Sequence, residues 1–252
     1  MLAKERLVYI INRLQVRPSI SVQELSREMN VSLSTVQRDL IKLEKEGRIE
    51  RSRGGAISHR VSEMLSGESD IAVSEKIHLH QAEKEIIAKN AIKFIKDGEC
   101  IFLDSGTTIA HLVPYIMNRN ITIVTNSMYL QRRLAGCKGQ VFLLGGKYSA
   151  KLDMTLGAST IMQLENLRFD RAFLSASGVD VRSKELYSVD SEIAVIKKLV
   201  MKRSKRTYVL VDHSKFNVKA IYTYAKLNEV DYIFTNQYPE NERVLKNIVV
   251  CK

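Results

Sequence analysis

Two groups of residues carry spacing that could do chemistry. Gln37 and Arg38, with Ser32, Ser34, Thr35 and Lys42 close by, are hydrogen-bonding side chains gathered within eleven residues. A Gln can bond adenine N6/N7 in bidentate fashion and an Arg can do the same to guanine O6/N7, so this is a set suited to reading base edges. A few residues on, Arg51 and Arg53 run into Gly54-Gly55. Cations beside a glycine-tipped turn suit the phosphates or an adjacent minor groove. The second group lies further along, in Asp104-Ser105-Gly106-Thr107-Thr108, Thr125-Asn126-Ser127 and Gly145-Gly146. Small and hydroxylated residues of this kind can turn backbone N–H groups and hydroxyls toward one point, an arrangement that suits a phosphate.

The elements that must position the first group are legible. Leu7, Ile10, Ile11 and Leu14 give one apolar stripe of a first helix, followed by Pro18. Ser21 can cap a second helix whose Val22, Leu25 and Met29 face inward, and Ser32 a third whose Val36, Leu40 and Leu43 make the matching stripe. Residues 48–53 then alternate as a strand into Gly54-Gly55, a pair able to take the positive φ of a tight hairpin. A helix, a turn at Asn30-Val31, a polar-faced helix and a basic hairpin are together the outline of a winged helix-turn-helix over residues 1–58. Residues 59–74 lose periodicity and gain Ser, Gly and Glu, which predicts a linker.

From Glu83 onward, helical stretches alternate with β-rich runs at 100–103, 121–124, 140–144, 172–175, 207–211 and 232–234. That alternation predicts an α/β domain with a mostly parallel sheet over residues 75–252. The small-residue clusters fall where these strands end, the position at which open α/β sheets hold ligands. A Ser-Gly-Thr-Thr turn is equally what a plain helix N-cap looks like. No Gly-Lys-Ser/Thr follows it and the three-glycine dinucleotide spacing is absent, which argues against nucleotide hydrolysis.

The run Val31-Ser32-Leu33-Ser34-Thr35-Val36-Gln37-Arg38-Asp39-Leu40, with Leu43-Glu44, Glu46-Gly47 and Arg53-Gly54-Gly55-Ala56, resembles the N-terminal signature of the DeoR family of bacterial sugar-metabolism regulators. It departs from that family in having Gln37-Arg38 where two adjacent arginines are usual. Phe102 to Thr108, Val124 to Ser127, Leu144 to Gly146 and Val211-Asp212-His213-Ser214-Lys215-Phe216 are similar to the effector domain of the same family. The resemblance implies a domain similar to ribose-5-phosphate isomerase that senses a phosphorylated sugar or sugar alcohol and does not convert it. It further implies that Ser105, Gly106, Thr107 and Thr108 hold the phosphate, and that Asn126, Gly145 and Gly146 line the sugar site. The same resemblance makes Asp104, Asp180, Asp212 and Lys215 candidate polar contacts, although each carboxylate could instead cap a turn and Lys215 could be a solvated surface charge. The implied function is that of a regulator of a carbohydrate-utilisation operon, most often a repressor, bound to double-stranded operator DNA as a homodimer or homotetramer. An alternative is a sugar-phosphate isomerase fused to a DNA-binding module, with Glu192 or Asp180 as the base that moves a proton between C1 and C2.

Composition bounds the rest. Lys and Arg number 39 against 28 Asp and Glu, a net charge of +11 that favours polyanionic partners. Cys100, Cys137 and Cys251 are far apart and read as buried thiols, and the five histidines show no metal-ligand spacing, so neither a metal nor another cofactor is expected. The basic run 197–206 is interleaved with Ile193, Ile196, Leu199, Val200 and Met201, which reads as the solvated face of a helix. No signal core or membrane-length apolar run appears, and the expected location is the cytoplasm.

Overall fold

The computed structural model describes residues 3–16, 19–45, 49–52, 55–58, 76–240 and 242–252, and divides into a unit ending at Asp70 and a second beginning at Ile71. The linker expected at 59–74, Gly47, Arg53 and Gly54 lie outside the described residues.

In the first unit, α1 (Ala3–Val16) buries Ile10 and Leu14 and packs Leu7 and Ile11 at the edge of the same core. β1 (Ser19–Ser21) leads directly into α2 (Val22–Met29). Ser21 caps α2 in a reciprocal box: its hydroxyl accepts the Glu24 N–H at 3.1 Å while the Glu24 carboxylate accepts the Ser21 N–H at 3.0 Å. Asn30 closes the helix in the left-handed region, at φ 52°, and α3 (Leu33–Lys45) follows, with the Ser32 hydroxyl accepting the Thr35 N–H at 3.2 Å. Val36, Leu40 and Leu43 point into the core as their spacing requires. Asp39, also on the buried side, is held by Arg6 of α1 through Nε at 2.6 Å and through a second guanidinium nitrogen at 3.3 Å. This fork ties the first helix to the third.

β2 (Ile49–Ser52) and β3 (Gly55–Ser58) form the hairpin, and β1 joins the other edge of β3. β1 was not foreseen: three residues are too few to show alternation, and it is a strand only because β3 supplies its partners. The register also changes the reason for Gly55. It pairs with Ser21, and a Cβ added there would lie 2.3 Å from the Ile20 carbonyl oxygen, so close approach of β1 excludes a side chain; Gly55 is not among the positive-φ glycines.

In the second unit, α4 (Gln81–Ala91) precedes β4 (Cys100–Leu103), α5 (Thr107–Ala110), α6 (Val113–Ile116), β5 (Thr122–Thr125), α7 (Met128–Arg133) and β6 (Gln140–Leu143). A hairpin of β7 (Lys147–Ser149) and β8 (Met154–Leu156), then α8 (Ala158–Glu165) and β9 (Phe169–Leu174), come next. After β10 (Gly178–Asp180) and β11 (Glu185–Ser188) come α9 (Ser191–Arg203), β12 (Ser204–Leu210), β13 (Tyr222–Lys226), β14 (Tyr232–Thr235) and β15 (Ile248–Val250). Seven strands form one sheet in the order β15-β14-β12-β9-β4-β5-β6, and every neighbouring pair is parallel. Phe102, Ala172 and Val209 face one apolar layer with α8 and α9, while Ile101, Leu103 and Phe173 face the other with α4 to α7. Burial on both faces is why these strands read as continuous apolar runs. The three-stranded sheet β10-β11-β13 and the β7-β8 hairpin had no sequence signal, being three to five residues long and partly polar. Of the three cysteines only Cys251 is buried; Cys100 and Cys137 are half-exposed, correcting the expectation of three buried thiols. Among the described residues no helix is long and apolar enough to cross a membrane.

Gly55→Ala should force β1 off β3 at a cost of about 1 to 3 kcal/mol, the range for overpacking. Hydrogen exchange checks this: amides of β1 and β3 should exchange faster while those of the seven-stranded sheet keep their protection.

Candidate functional site

The third helix divides its side chains as a DNA reader requires. Ser32, Ser34, Gln37, Arg38 and Lys42 are exposed, Thr35 is half-exposed, and the opposite side is packed. The Ser32 hydroxyl also touches those of Ser34 at 2.9 Å and Thr35 at 2.8 Å, so the three form one polar cluster at the helix start. Leu33 stands 49% exposed beside them, an apolar group of the kind that can meet a thymine methyl. Arg51 lies on β2 of the hairpin, and Gly55 begins β3.

The sheet brings the second group of residues together at one end. β4, β5 and β6 are adjacent and in register, Leu103 beside Thr125 and Thr125 beside Leu143, so residues 104–108, 125–127 and 145–146 leave neighbouring strand ends. Asp212 and Lys215 follow β12, which only β9 separates from β4. Asp180 is elsewhere, in the small sheet: its carboxylate accepts the N–H groups of Arg182 at 2.8 Å and Ser183 at 3.2 Å and pairs with Lys219 at 2.8 Å. Burial alone would raise its pKa, but Lys219 and the two N–H groups outweigh that and hold it below the usual carboxylate range.

Many of the polar side chains at the strand ends are engaged in building them. Thr125 donates to the Leu103 carbonyl at 2.7 Å, Ser127 caps α7 by accepting the Leu130 N–H at 3.2 Å, and Ser105 contacts the Met154 sulfur at 3.3 Å. Asp212 caps the short turn after β12 by accepting the Ser214 N–H at 3.0 Å. Gly145 donates its N–H to Gln163 at 3.1 Å and accepts from Thr160 at 2.8 Å; Gly146 beside it is exposed. Asn126 differs: it is fully buried, its amide N–H donates to the Thr155 carbonyl at 2.9 Å, and its carbonyl oxygen has no partner. An unsatisfied buried acceptor of this kind calls for a donor. Thr107 is half-exposed and Thr108 buried. The helix they open is a single turn, so an anion here would meet first-turn N–H groups and hydroxyls and not the dipole of a long helix.

Under this loop lies a buried ion pair whose lysine comes from the basic run expected to be a solvated helix face. Asp104 is 1% exposed, and one of its carboxylate oxygens accepts from Lys197 Nζ at 2.6 Å, the Ser175 hydroxyl at 2.5 Å and the Ser175 N–H at 2.9 Å. Lys197 also donates to the Ser175 carbonyl at 2.6 Å, and the Tyr224 hydroxyl donates to the same carbonyl at 3.0 Å. Lys198 and Lys202 are on the solvated face of α9 as expected, whereas Lys197 is 4% exposed. Its signal was in the spacing: Ile193, Ile196, Lys197 and Val200 fall at i, i+3, i+4 and i+7, placing the lysine within the apolar stripe. Gly106 packs on the same serine, and a Cβ there would be 2.3 Å from Ser175 Cβ.

The structure also gathers His80, Glu83 and His213, whose possible ligand atoms lie within 4.8 Å of one another although 130 residues separate the last from the others. Spacing along the chain gave no sign of this.

Burial would raise the Asp104 pKa, but the charge and hydrogen bond of Lys197, with those of Ser175, outweigh it and hold the carboxylate below the usual range. A depressed folded pKa adds stability above the unfolded value and loses it as pH falls through the folded one. Acid unfolding of the second unit should therefore set in below about pH 4. Lys197→Met should cost about 3 to 5 kcal/mol at neutral pH by leaving a buried charge unpaired. Because Asp104 would then titrate above its unfolded value, that penalty should shrink as pH is lowered, which denaturant melts at several pH values would detect.

Residues 6–61 match the DeoR-like helix-turn-helix domain and residues 79–237 the DeoR C-terminal sensor domain. The chain is 30% identical to the HTH-type transcriptional repressor GlcR of Bacillus subtilis (strain 168), over 95% of this chain and 90% of that one. It is 32% identical to the HTH-type transcriptional regulator IolR of the same strain, over 89% and 87%. With the lactose phosphotransferase system repressor of Staphylococcus aureus (strain NCTC 8325 / PS 47) it shares 30% identity over 95% and 94%. Among solved structures, a D-ribose-5-phosphate isomerase in complex with phospho-erythronic acid overlaps 54% of this chain and 54% of that one at 22% identity and a TM-score of 0.40. A helix-turn-helix unit with an exposed polar recognition face, a parallel α/β sheet with small-residue loops at its strand ends, and relatives matched along nearly the whole length place this chain in the DeoR family of transcriptional regulators.

Proposed function

We propose that this protein is a DNA-binding repressor of a carbohydrate-utilisation operon whose operator affinity changes when a phosphorylated sugar or sugar alcohol binds its second unit. The observation that carries the DNA side is the division of α3, with Ser34, Gln37, Arg38 and Lys42 toward solvent and Val36, Leu40 and Leu43 in the core. Gln37 and Arg38 read base edges in the major groove; Ser32, Ser34, Thr35 and Lys42 fix the helix there, and the hairpin of β2 and β3 is the wing that meets the phosphates; Arg53 and Gly54, expected at its tip, lie outside the described residues. The names of GlcR and of the lactose phosphotransferase system repressor support repression and a carbohydrate signal. One recognition helix spans only a few base pairs, so we propose a homodimer or homotetramer on repeated half-sites.

For the effector, the unsatisfied Asn126 oxygen supports a sugar hydroxyl as its missing donor, with the phosphate held by Ser105, Gly106, Thr107 and Thr108 on the neighbouring strand end. Thr125, Ser127, Asp104 and Asp212 act by fixing loop geometry, while Gly145, Gly146 and Lys215 border the sugar. The match to a DeoR C-terminal sensor domain supports a sensor over an isomerase; of the two candidate bases, Asp180 is committed to the turn and to Lys219, while Glu192 is half-exposed in the first turn of α9. The effector must bind the DNA-competent and DNA-incompetent states unequally, and a coupling of about 1 to 3 kcal/mol would change operator affinity roughly 5- to 150-fold.

The test is fluorescence anisotropy on DNA from the protein's own upstream region against scrambled DNA, with a panel of sugar phosphates and their unphosphorylated parents. Specific binding altered only by a phosphorylated member is expected; salt-sensitive binding with neither sequence preference nor effector response would overturn the reading. Arg38→Ala should cost about 1 to 3 kcal/mol on the operator and relax base preference, whereas Lys42→Ala should weaken all sequences alike and reduce the salt slope by about 1. Thr107→Ala should keep operator affinity and lose the effector response.

A further inference from the structure

We propose that His80, Glu83 and His213 form a binding site for one divalent transition-metal ion of the zinc class. Two imidazoles and one carboxylate are the donor set that zinc and its neighbours prefer, and three protein ligands leave a position open to water or an added ligand. The three side chains come from two places in the fold: His80 precedes α4, Glu83 stands in its first turn, and His213 follows β12. Their candidate ligand atoms all lie within 4.8 Å of one another, with His80 Nδ1 and Glu83 Oε1 at 3.8 Å. Ligand atoms of a tetrahedral zinc with bonds of about 2.0–2.1 Å sit about 3.4 Å apart, so the three atoms have to draw together by at most about 1.4 Å to hold such an ion.

The surroundings hold these groups in place before any ion arrives. The two imidazole rings meet edge to face with centroids 5.2 Å apart. Asn236, just after β14, accepts the His213 backbone N–H at 2.9 Å through its side-chain oxygen and places its amide nitrogen 3.2 Å from His213 Nδ1. A metal at Nδ1 displaces only the contact with the amide nitrogen, and the hydrogen bond from the His213 backbone N–H to the Asn236 oxygen stays in place. His80 is itself held at φ 52° and ψ 42°, a left-handed backbone that a residue with a side chain adopts at a cost. None of the three belongs to the effector residues proposed above, so the metal site stands or falls independently of the sugar reading.

The test uses the full chain stripped with a chelator and titrated with Co(II) and then Zn(II), with no sugar present. One Co(II) per chain is expected, with the visible bands of a low-coordinate site, displaced by one Zn(II). His80→Ala and His213→Ala should each weaken binding at least about tenfold and Glu83→Gln should weaken it as well, while His78→Ala, altering the exposed neighbouring histidine, should bind like the parent. Circular dichroism melts of the stripped variants establish that each is folded. Absence of stoichiometric Co(II) binding, or folded His80→Ala and His213→Ala variants that bind as the parent does, would overturn the proposal.

Discussion

The ion pair between Asp104 and Lys197 is the contact on which the rest of the second unit's candidate site depends. A carboxylate that is 1% exposed is tolerable only with a full set of partners, and Lys197 and Ser175 supply them. Those partners come from different layers: Asp104 follows β4, Ser175 follows β9, and Lys197 crosses from the covering helix α9. Tyr224 adds the small sheet through the Ser175 carbonyl. One charge pair thereby fixes the strand ends, the helix and the small sheet relative to the loop at 105–108. A hydrophobic pair of equal volume could pack as well, but it would not orient a serine whose backbone and hydroxyl both face the carboxylate.

Above that anchor, most polar groups are already in use. Thr125 ties neighbouring strands, Ser127 caps a helix, and Asp180 and Asp212 close turns. The useful distinction is therefore between a polar atom that is satisfied and one that is not. Asn126 is buried with half of its amide unspent, and it emerges beside the loop that packs Gly106 against Ser175.

The first unit solves a different problem. Its third helix must be rigid on one side and polar on the other, and the Arg6 fork on Asp39 lets a charged residue sit on the packed side without loss. The close approach of β1 to β3 at Gly55 builds the base of the hairpin from three strands where the sequence suggested two.

What the sequence determined by itself was whatever depends on short-range pattern. The stripes of α1 to α3, the caps at Ser21 and Ser32, the alternation of helices and strands, and the small-residue loops after β4, β5 and β6 all follow from neighbours within about one or two helical turns. Only the tertiary structure decided which polar residues are buried and with whom. Lys197 meets Asp104 across 93 residues and His80 meets His213 across 133, and β1 exists because a strand more than thirty residues later comes back to it. The spacing of Ile193, Ile196 and Val200 puts Lys197 on the packed stripe of α9, but the carboxylate that makes a buried lysine tolerable is delivered by folding and not by the residues on either side.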